Sequence, residues 1–257
     1  MRKRSSWSIP YYIFLVFFVV LPLVLVAFYA LRDREGSFTL SNIARFFSDK
    51  DTLSTFAVSL EVAIENTLLC ILLGYPAAWI LANKKYNRSA VTIILFILPM
   101  WVNALMRTLA TAQLFTILGM NLGKGTLLFG MVYDYLPFMI SPIYNILSRM
   151  DNSYAEAASD LGATPWRVFW KVTVPLSMPG VMSGVLMVFM PTVSTFATSE
   201  FLTNNKIKLF GTIIQENINN SMWNYGAALS LIMLLIIGLT TVLQGGEQTE
   251  ETSGGLI

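Results

Sequence analysis

Glu156-Ala157-Ala158-Ser159-Asp160-Leu161-Gly162 is a polar, small-residue stretch in a chain of apolar runs, and its reading decides the fold. Ser153 and Glu156 have capping-box spacing, so a helix is expected to begin near Ser153. Gly162 stands where a left-handed helix end is wanted, a backbone state that only glycine enters without a Cβ clash. Thr164 and Pro165 read as an N-cap and first residue of a second helix, running towards Val172 and stopped by Pro175 and Pro179. The pair forms a hairpin, 151–178, between two apolar runs. Glu156 and Asp160, four apart, share a helix face suited to basic groups, and alanines at 155, 157 and 158 admit another surface closely.

The runs around the hairpin set the class. The chain has 257 residues, 55% hydrophobic and 12% charged, with a mean hydropathy of +0.61; a soluble domain carries about 25% charged residues. A net charge of +2 gives no footing for nucleic acid. The absence of histidine removes imidazole bases and His-ligated metals. Cys70 has no partner cysteine, so no internal disulfide forms.

Apolar runs at 9–31, 57–82, 90–110, 126–148, 179–201 and 225–243 are each long enough to span a bilayer. The expected fold is an all-α membrane protein of six transmembrane helices in one domain, 1–243. The first run is too long for a signal-peptide core, and no small-residue cleavage site follows it, so it is read as a retained helix. Residues 32–56 read as an external segment with short helices. Basic residues at 2–4 and in the loop 84–88 put the N-terminus, that loop and the hairpin in the cytoplasm. Six crossings return the C-terminus there. The acidic, glycine-containing tail 244–257 is expected to be disordered.

Pro22, Pro76, Pro99, Pro137, Pro142 and Pro191 remove backbone donors inside apolar runs, so bends are expected. Gly180 and Gly184 have the GxxxG spacing of close helix packing. Glu61, Glu65, Arg107, Asp134 and Glu200 lie in or near the spans, where a charge at mid-membrane costs about 2.5–3.5 kcal/mol. Four carboxylates against one guanidinium favour a cationic solute. Asp134 is the first candidate contact, with Glu200, and Tyr133, Tyr135, Trp101 and Trp223 can add cation–π contacts. The alternative roles are interfacial placement for Glu61 and Glu65, snorkelling or pairing for Arg107, and a span end for Glu200.

Glu-Ala-Ala, three residues, Gly, nine residues and then Val172-Thr173-Val174-Pro175 resembles the cytoplasmic coupling loop of binding-protein-dependent ABC importer permeases. Leu73-Gly74-Tyr75-Pro76-Ala77-Ala78-Trp79, Ile97-Leu98-Pro99-Met100-Trp101-Val102-Asn103 and Tyr135-Leu136-Pro137-Phe138-Met139 look like segments of the first membrane subunit of spermidine/putrescine importers. The likeness covers about residues 60–228. It implies the type I importer fold in a bacterial inner membrane, with Glu156, Ala157, Ala158, Asp160, Leu161, Gly162 and Pro175 coupling to an ATPase. It also implies a second, related permease as heterodimer partner, two cytoplasmic ATPase subunits and an extracytoplasmic binding protein. ATP and Mg then bind the ATPases, and this chain needs no cofactor of its own and is not an enzyme. The acidic tail departs from the family, which usually ends in a basic segment.

Residues 119–126 (GMNLGKGT) approach a phosphate loop but fail its spacing. Lys124 is followed by Gly125, and no strand precedes it. A permease for another solute (amino acid, sulfonate, iron or oxyanion) is the alternative within the resemblance. A secondary transporter would share the bent helices without needing the hairpin. An intramembrane hydrolase would need an aspartyl pair, and Asp134 is the one aspartate placed in a span.

Overall fold

A computed structural model describes residues 9–33, 35–83, 87 and 90–253. Among them no sheet forms; one antiparallel bridge, Arg32 to Phe38, closes a turn. The basic tip at 2–4 and most of the loop 84–88 lie outside the described residues.

The first span is α1 (Ile9–Leu15), a π turn (Val16–Val20) and α2 (Leu21–Ala30). The wide turn sits one turn before Pro22, whose ring would press on the carbonyl four residues back and whose nitrogen donates nothing. A short helix α3 (Ser41–Ser48) follows, then α4 (Lys50–Ala82). This helix starts seven residues before the expected 57, because Asp49 caps it: its carboxylate accepts from Asp51 N (3.1 Å), Thr52 N (3.5 Å) and Thr52 Oγ1 (2.8 Å). The Thr52 hydroxyl also meets Tyr225 OH at 3.3 Å, tying the start of α4 to the last helix.

The third span departs from expectation. It is α5 (Ala90–Ile97), a 3₁₀ turn (Leu98–Trp101) and α6 (Ala104–Ile117), with a 90° bend between its halves. Pro99 ends the first half, and Asn103 starts the second by accepting from Leu105 N (2.9 Å). The fourth span, α7 (Lys124–Arg149), is continuous through Pro137 and Pro142. After the hairpin helices α8 (Ser153–Asp160) and α9 (Pro165–Val168), a π turn (Phe169–Thr173) feeds α10 (Val174–Ser194). Short α11 (Ala197–Thr203) and α12 (Phe210–Asn219) lead to α13 (Trp223–Ser253). The helical backbone thus continues past 244, where the sequence reading places disorder; 254–257 lie outside the described residues.

Pro10–Ala30, Lys50–Ala82, Lys124–Arg149 and Pro165–Ser194 are long and apolar enough to cross a bilayer. The bent pair makes a fifth crossing if counted as one span, and Trp223–Leu239 is a shorter apolar helix. The all-α class stands; of the six expected spans, four are long helices, one is broken and one is a shorter apolar helix.

α4, α7 and α10 form the centre, around Cys70, Ala78, Met139, Ile140, Ile143 and Val188. Lipid tails are as apolar as leucine, so close approach and buried hydrogen bonds hold this centre. Asn66 Nδ2 donates to Thr192 Oγ1 (2.8 Å), Tyr75 OH meets Ser177 Oγ (2.8 Å), and Phe210 N donates to Ser59 Oγ (2.7 Å). Gly180 and Gly184 do lie at a helix crossing, against Pro142, Ile143 and Met139 of α7.

A Cβ at Gly180 would stand 3.0 Å from the Pro142 carbonyl oxygen and 3.1 Å from Ile143 Cα, backbone that cannot turn aside. Gly180→Ala is expected to cost about 1–3 kcal/mol, read as a lower unfolding temperature in detergent, while Gly238→Ala, with open space around it, leaves that temperature unchanged. The Thr52 hydroxyl bond holds the Asp49 carboxyl below the usual aspartate range, partly opposed by burial. A depressed pKa stabilises the fold above the unfolded value and is lost as pH falls through the folded one. The penalty of Asp49→Ala, about 1 kcal/mol at neutral pH, should therefore shrink as the medium is taken below about pH 4.

Candidate functional site

The hairpin is built from local chemistry. Asp151 Oδ1 accepts from Ser153 N (2.9 Å), so the expected Ser153–Glu156 box does not form. Asn152 already has helical dihedrals (φ −65°, ψ −19°), which puts Ser153 inside the helix rather than at its cap. The far end is as expected. Gly162 has φ +82°, its N–H donates to Ser159 O (2.9 Å), and Ala163 N donates to Ala158 O (3.0 Å). This double closure satisfies two of the carbonyls that a helix end leaves open. Thr164 is extended and Pro165 opens α9, but Pro175 does not stop the chain there. In the π turn Val174 N reaches Phe169 O, and the widened ring of backbone accommodates Pro175 one turn on. The second arm and the fifth span are therefore one continuous piece of helix, Pro165–Ser194.

No residue of α8 is buried. Leu161 is 90% exposed and Trp166 71%, with Tyr154 and Trp170 also open. Glu156 and Asp160 line one shallow cavity of about 350 Å3 with Asn152, Ala155 and Ser159, so the four-residue spacing does bring the two acids together. The aromatic residues of the hairpin were not singled out in the sequence; their signal was three large rings within five positions, 166–170. Trp166 stacks on Phe169 (6.2 Å between centroids), and Phe169 meets Trp79 (5.8 Å) and Tyr75 (5.8 Å) of α4 edge-on. An aromatic chain thus leads from the exposed hairpin to α4, and Tyr75 passes it to α10 through Ser177.

The charges within the spans are mostly paired. Arg107 Nη2 lies 3.2 Å from Asp134 Oδ1, and Thr108 Oγ1 donates to Asp134 Oδ2 (3.0 Å). Arg107 Nη1 donates to the Pro99 carbonyl (2.7 Å). Asp134 is 3% exposed. The residue placed first among solute contacts is therefore turned inward onto Arg107, because α6 lies against that face of α7. Lys124 binds both Glu61 (2.6 Å) and Glu65 (2.8 Å), which also disposes of a phosphate-loop role for it. Glu200, half-buried on α11, has no ion pair among the described residues.

Tyr133 joins the Arg107 group, its ring 5.6 Å from the guanidinium. Tyr135 turns towards Phe138 and the central core. Trp101 sits on the outside of the elbow, 87% exposed. Trp223 is elsewhere: its neighbour Asn224 donates to Arg32 O (2.7 Å), beside the end of the first span. The six candidates thus do not form one site within the chain. No cluster of three metal-ligating side chains occurs among the described residues.

A family model described as "Binding-protein-dependent transport system inner membrane component" matches residues 1–245. The chain is 32% identical over 249 residues to the spermidine/putrescine transport system permease protein PotB of Escherichia coli strain K12, covering 88% of this chain and 90% of that one. The PotB of Haemophilus influenzae is 30% identical over 249 residues, covering 88% and 87%. Among solved structures, a chain of a bacterial ABC transporter involved in the import of the acidic polysaccharide alginate superposes with a TM-score of 0.69 at 12% identity, covering 96% of this chain and 94% of that one. A chain of the inward-facing MetNI methionine ABC transporter gives 0.56 at 14% identity, covering 79% and 94%. At those identities the structures speak for the fold.

Gly162 has open space around it, so its replacement tests backbone strain alone. Gly162→Val is expected to cost about 1–2 kcal/mol locally and to speed amide exchange across 158–164, with α4 and α7 unaffected. Gly162→Asn should be milder, since asparagine tolerates the left-handed region.

Proposed function

The chain belongs to the binding-protein-dependent transport system inner membrane components, and from that membership we propose that it is half of the translocation path of an ATP-driven polyamine importer. The observation that carries the reading is the hairpin: a helix with no buried residue, resting only by its Ala155 and Ala158 side on the rest of the hairpin and tipped by the open Leu161. The family to which it belongs is a transport subunit rather than an ATPase. Nucleotide and Mg are held and hydrolysed by partner subunits, and this chain contributes the lever.

In this reading α8 seats in a groove of a cytoplasmic ATPase, with Ala157 and Ala158 allowing close approach and Glu156 and Asp160 meeting basic groups at its rim. Leu161 and Tyr154 fill apolar hollows that leave them unexposed once docked. When the motor closes, the hairpin moves with it. The continuous helix from Pro165 to Ser194 carries the displacement into the membrane, and the Trp166–Phe169–Trp79 chain carries it to α4. Two such permeases of related sequence, one of them this chain, enclose the path; an extracytoplasmic binding protein delivers solute at the face opposite the hairpin. Both chain ends then lie in the cytoplasm.

The polyamine assignment is supported by the PotB relatives. Glu200, on the short helix α11 that follows the fifth span, is consistent with it, as a carboxylate with no ion pair among the described residues. The path-lining set then narrows to Glu200 with Trp101 and Tyr133 for a polyvalent ammonium, with Tyr135 and Trp223 in outlying positions. A different small solute is the second reading, favoured if the neutralising change at Glu200 is silent.

The complex reconstituted in vesicles with its ATPase, partner permease and binding protein should hydrolyse ATP faster when the binding protein carries spermidine or putrescine. Leu161→Asp should abolish that stimulation and uptake while the assembled membrane fold survives. Gradient-driven uptake without nucleotide would refute the importer reading. Glu200→Gln should lower polyamine uptake by about tenfold, given a lost charge contact of ~1.4 kcal/mol or more; unchanged uptake removes Glu200 from the path.

A further inference from the structure

The Arg107–Asp134 pair has a feature that neither pairing nor solute binding explains. Arg107 Nη1 donates to the Pro99 carbonyl (2.7 Å) and Nη2 to the Asp134 carbonyl (3.4 Å), while Asp134 Oδ1, 3.2 Å from Nη2, is held by charge without a hydrogen bond. The third span turns through 90° at Val102–Asn103, directly after the 3₁₀ turn that holds Pro99. The Pro99 carbonyl belongs to that 3₁₀ turn, so the regular α-helical donor is absent, and besides Val102 N (3.2 Å) the guanidinium is what it binds. Asp134, gripped by Thr108 Oγ1 on its other oxygen, fixes the arginine from α7. Arg107 and Asp134 are 7% and 3% exposed, so both charges are withdrawn from solvent.

We propose that Arg107 and Asp134 form a clasp that sets the angle of the Pro99 elbow, making Asp134 a positioning residue rather than a solute contact. A buried ion pair can often be replaced by apolar side chains without loss of stability. Its presence here is accounted for by the carbonyl that only a planar, multi-donor cation can serve at the same time as the carboxylate. What the clasp positions is the outer side of the elbow, where Leu98, Trp101, Val102 and Met106 project from the chain. Trp101 is the most exposed of these, so an angular change at Pro99 moves the largest unpartnered side chain of the third span.

The test measures the elbow directly. Cys70 is fully buried and is the chain's single cysteine. With Cys70 replaced by alanine, spin labels at Trp101→Cys and at the exposed Phe38→Cys report the elbow-to-outer-turn distance by pulsed electron paramagnetic resonance on the full chain in nanodiscs. The expected result is a single narrow distribution in the parent, and a broadened or shifted one in both Asp134→Asn and Arg107→Lys. Should an uncompensated charge prevent either variant from folding, Arg107→Met with Asp134→Leu removes both charges together and must broaden the distribution likewise. An unchanged distribution in the variants that fold overturns the clasp.

A second arm, in the complete complex with Trp101 intact, rests on the importer reading. Asp134→Asn and Arg107→Lys should depress uptake alike, by about fivefold or more. Retained uptake in the charge-preserving Arg107→Lys, beside loss in Asp134→Asn, would make Asp134 a solute contact and overturn the proposal. Because the distance measurement needs neither ATP nor solute, a failed importer reading leaves it standing.

Discussion

A carbonyl or amide freed inside a bilayer has no water to turn to, and this constraint governs each irregularity of the chain. Before Pro22 and before Pro175 the helix widens to a π turn, so that the carbonyl displaced by the proline ring stays within helical backbone. At Pro99 the helix is given up altogether, and a side chain from the next segment supplies the missing donor. Where the chain leaves the apolar region, at the hairpin, the repair is local: a glycine in the left-handed region and two short amide bonds close α8.

The hairpin was legible because its signals act within a few residues. Gly162 and Pro165 fix dihedrals that no distant contact need supply, and both stand where the sequence puts them. Pro175 was misread as a stop because the π turn that absorbs it has no sequence signature of its own. The third span was read as one rod because hydropathy averages across 90–110 and is blind to direction; Pro99 marked a bend but not a right angle. The pairing of Asp134 with Arg107 was hidden for a similar reason. The two lie 27 positions apart, and only the return of α6 against α7 brings them together. The surplus of carboxylates was also partly illusory, since Lys124, just outside the span as read from sequence, serves two of them.

The helix centre explains how a push at the hairpin can travel. Gly180 and Gly184 bring α10 against the backbone of α7, leaving little compliant side chain between them. Asn66–Thr192 and Tyr75–Ser177 join α10 to α4 at two heights. Three helices bound in this way move as a body rather than sliding singly. The first span is bound differently: it meets α13, and only 6% of its apolar window is buried. In the proposed importer, displacement entering at Pro165 would pass to the central trio rather than to the periphery.

Exposure has opposite meanings on these two parts. Tyr11, Phe14, Phe17 and Phe18 are open on the first span, but their surroundings are hydrocarbon and the exposure costs nothing there. Leu161 and Trp166 flank a helix that carries Ser153, Glu156, Ser159 and Asp160 on its surface, a set of polar groups suited to water rather than to hydrocarbon. At about 25 cal/mol per Å2 of apolar area, leaving a leucine and a tryptophan open there forgoes several kcal/mol that burial would return. The hairpin cannot recover that energy internally, because α8 has no buried face and its acids exclude lipid. A separate polar-rimmed surface with apolar hollows would satisfy both groups at once, which is what the proposed docking onto an ATPase supplies.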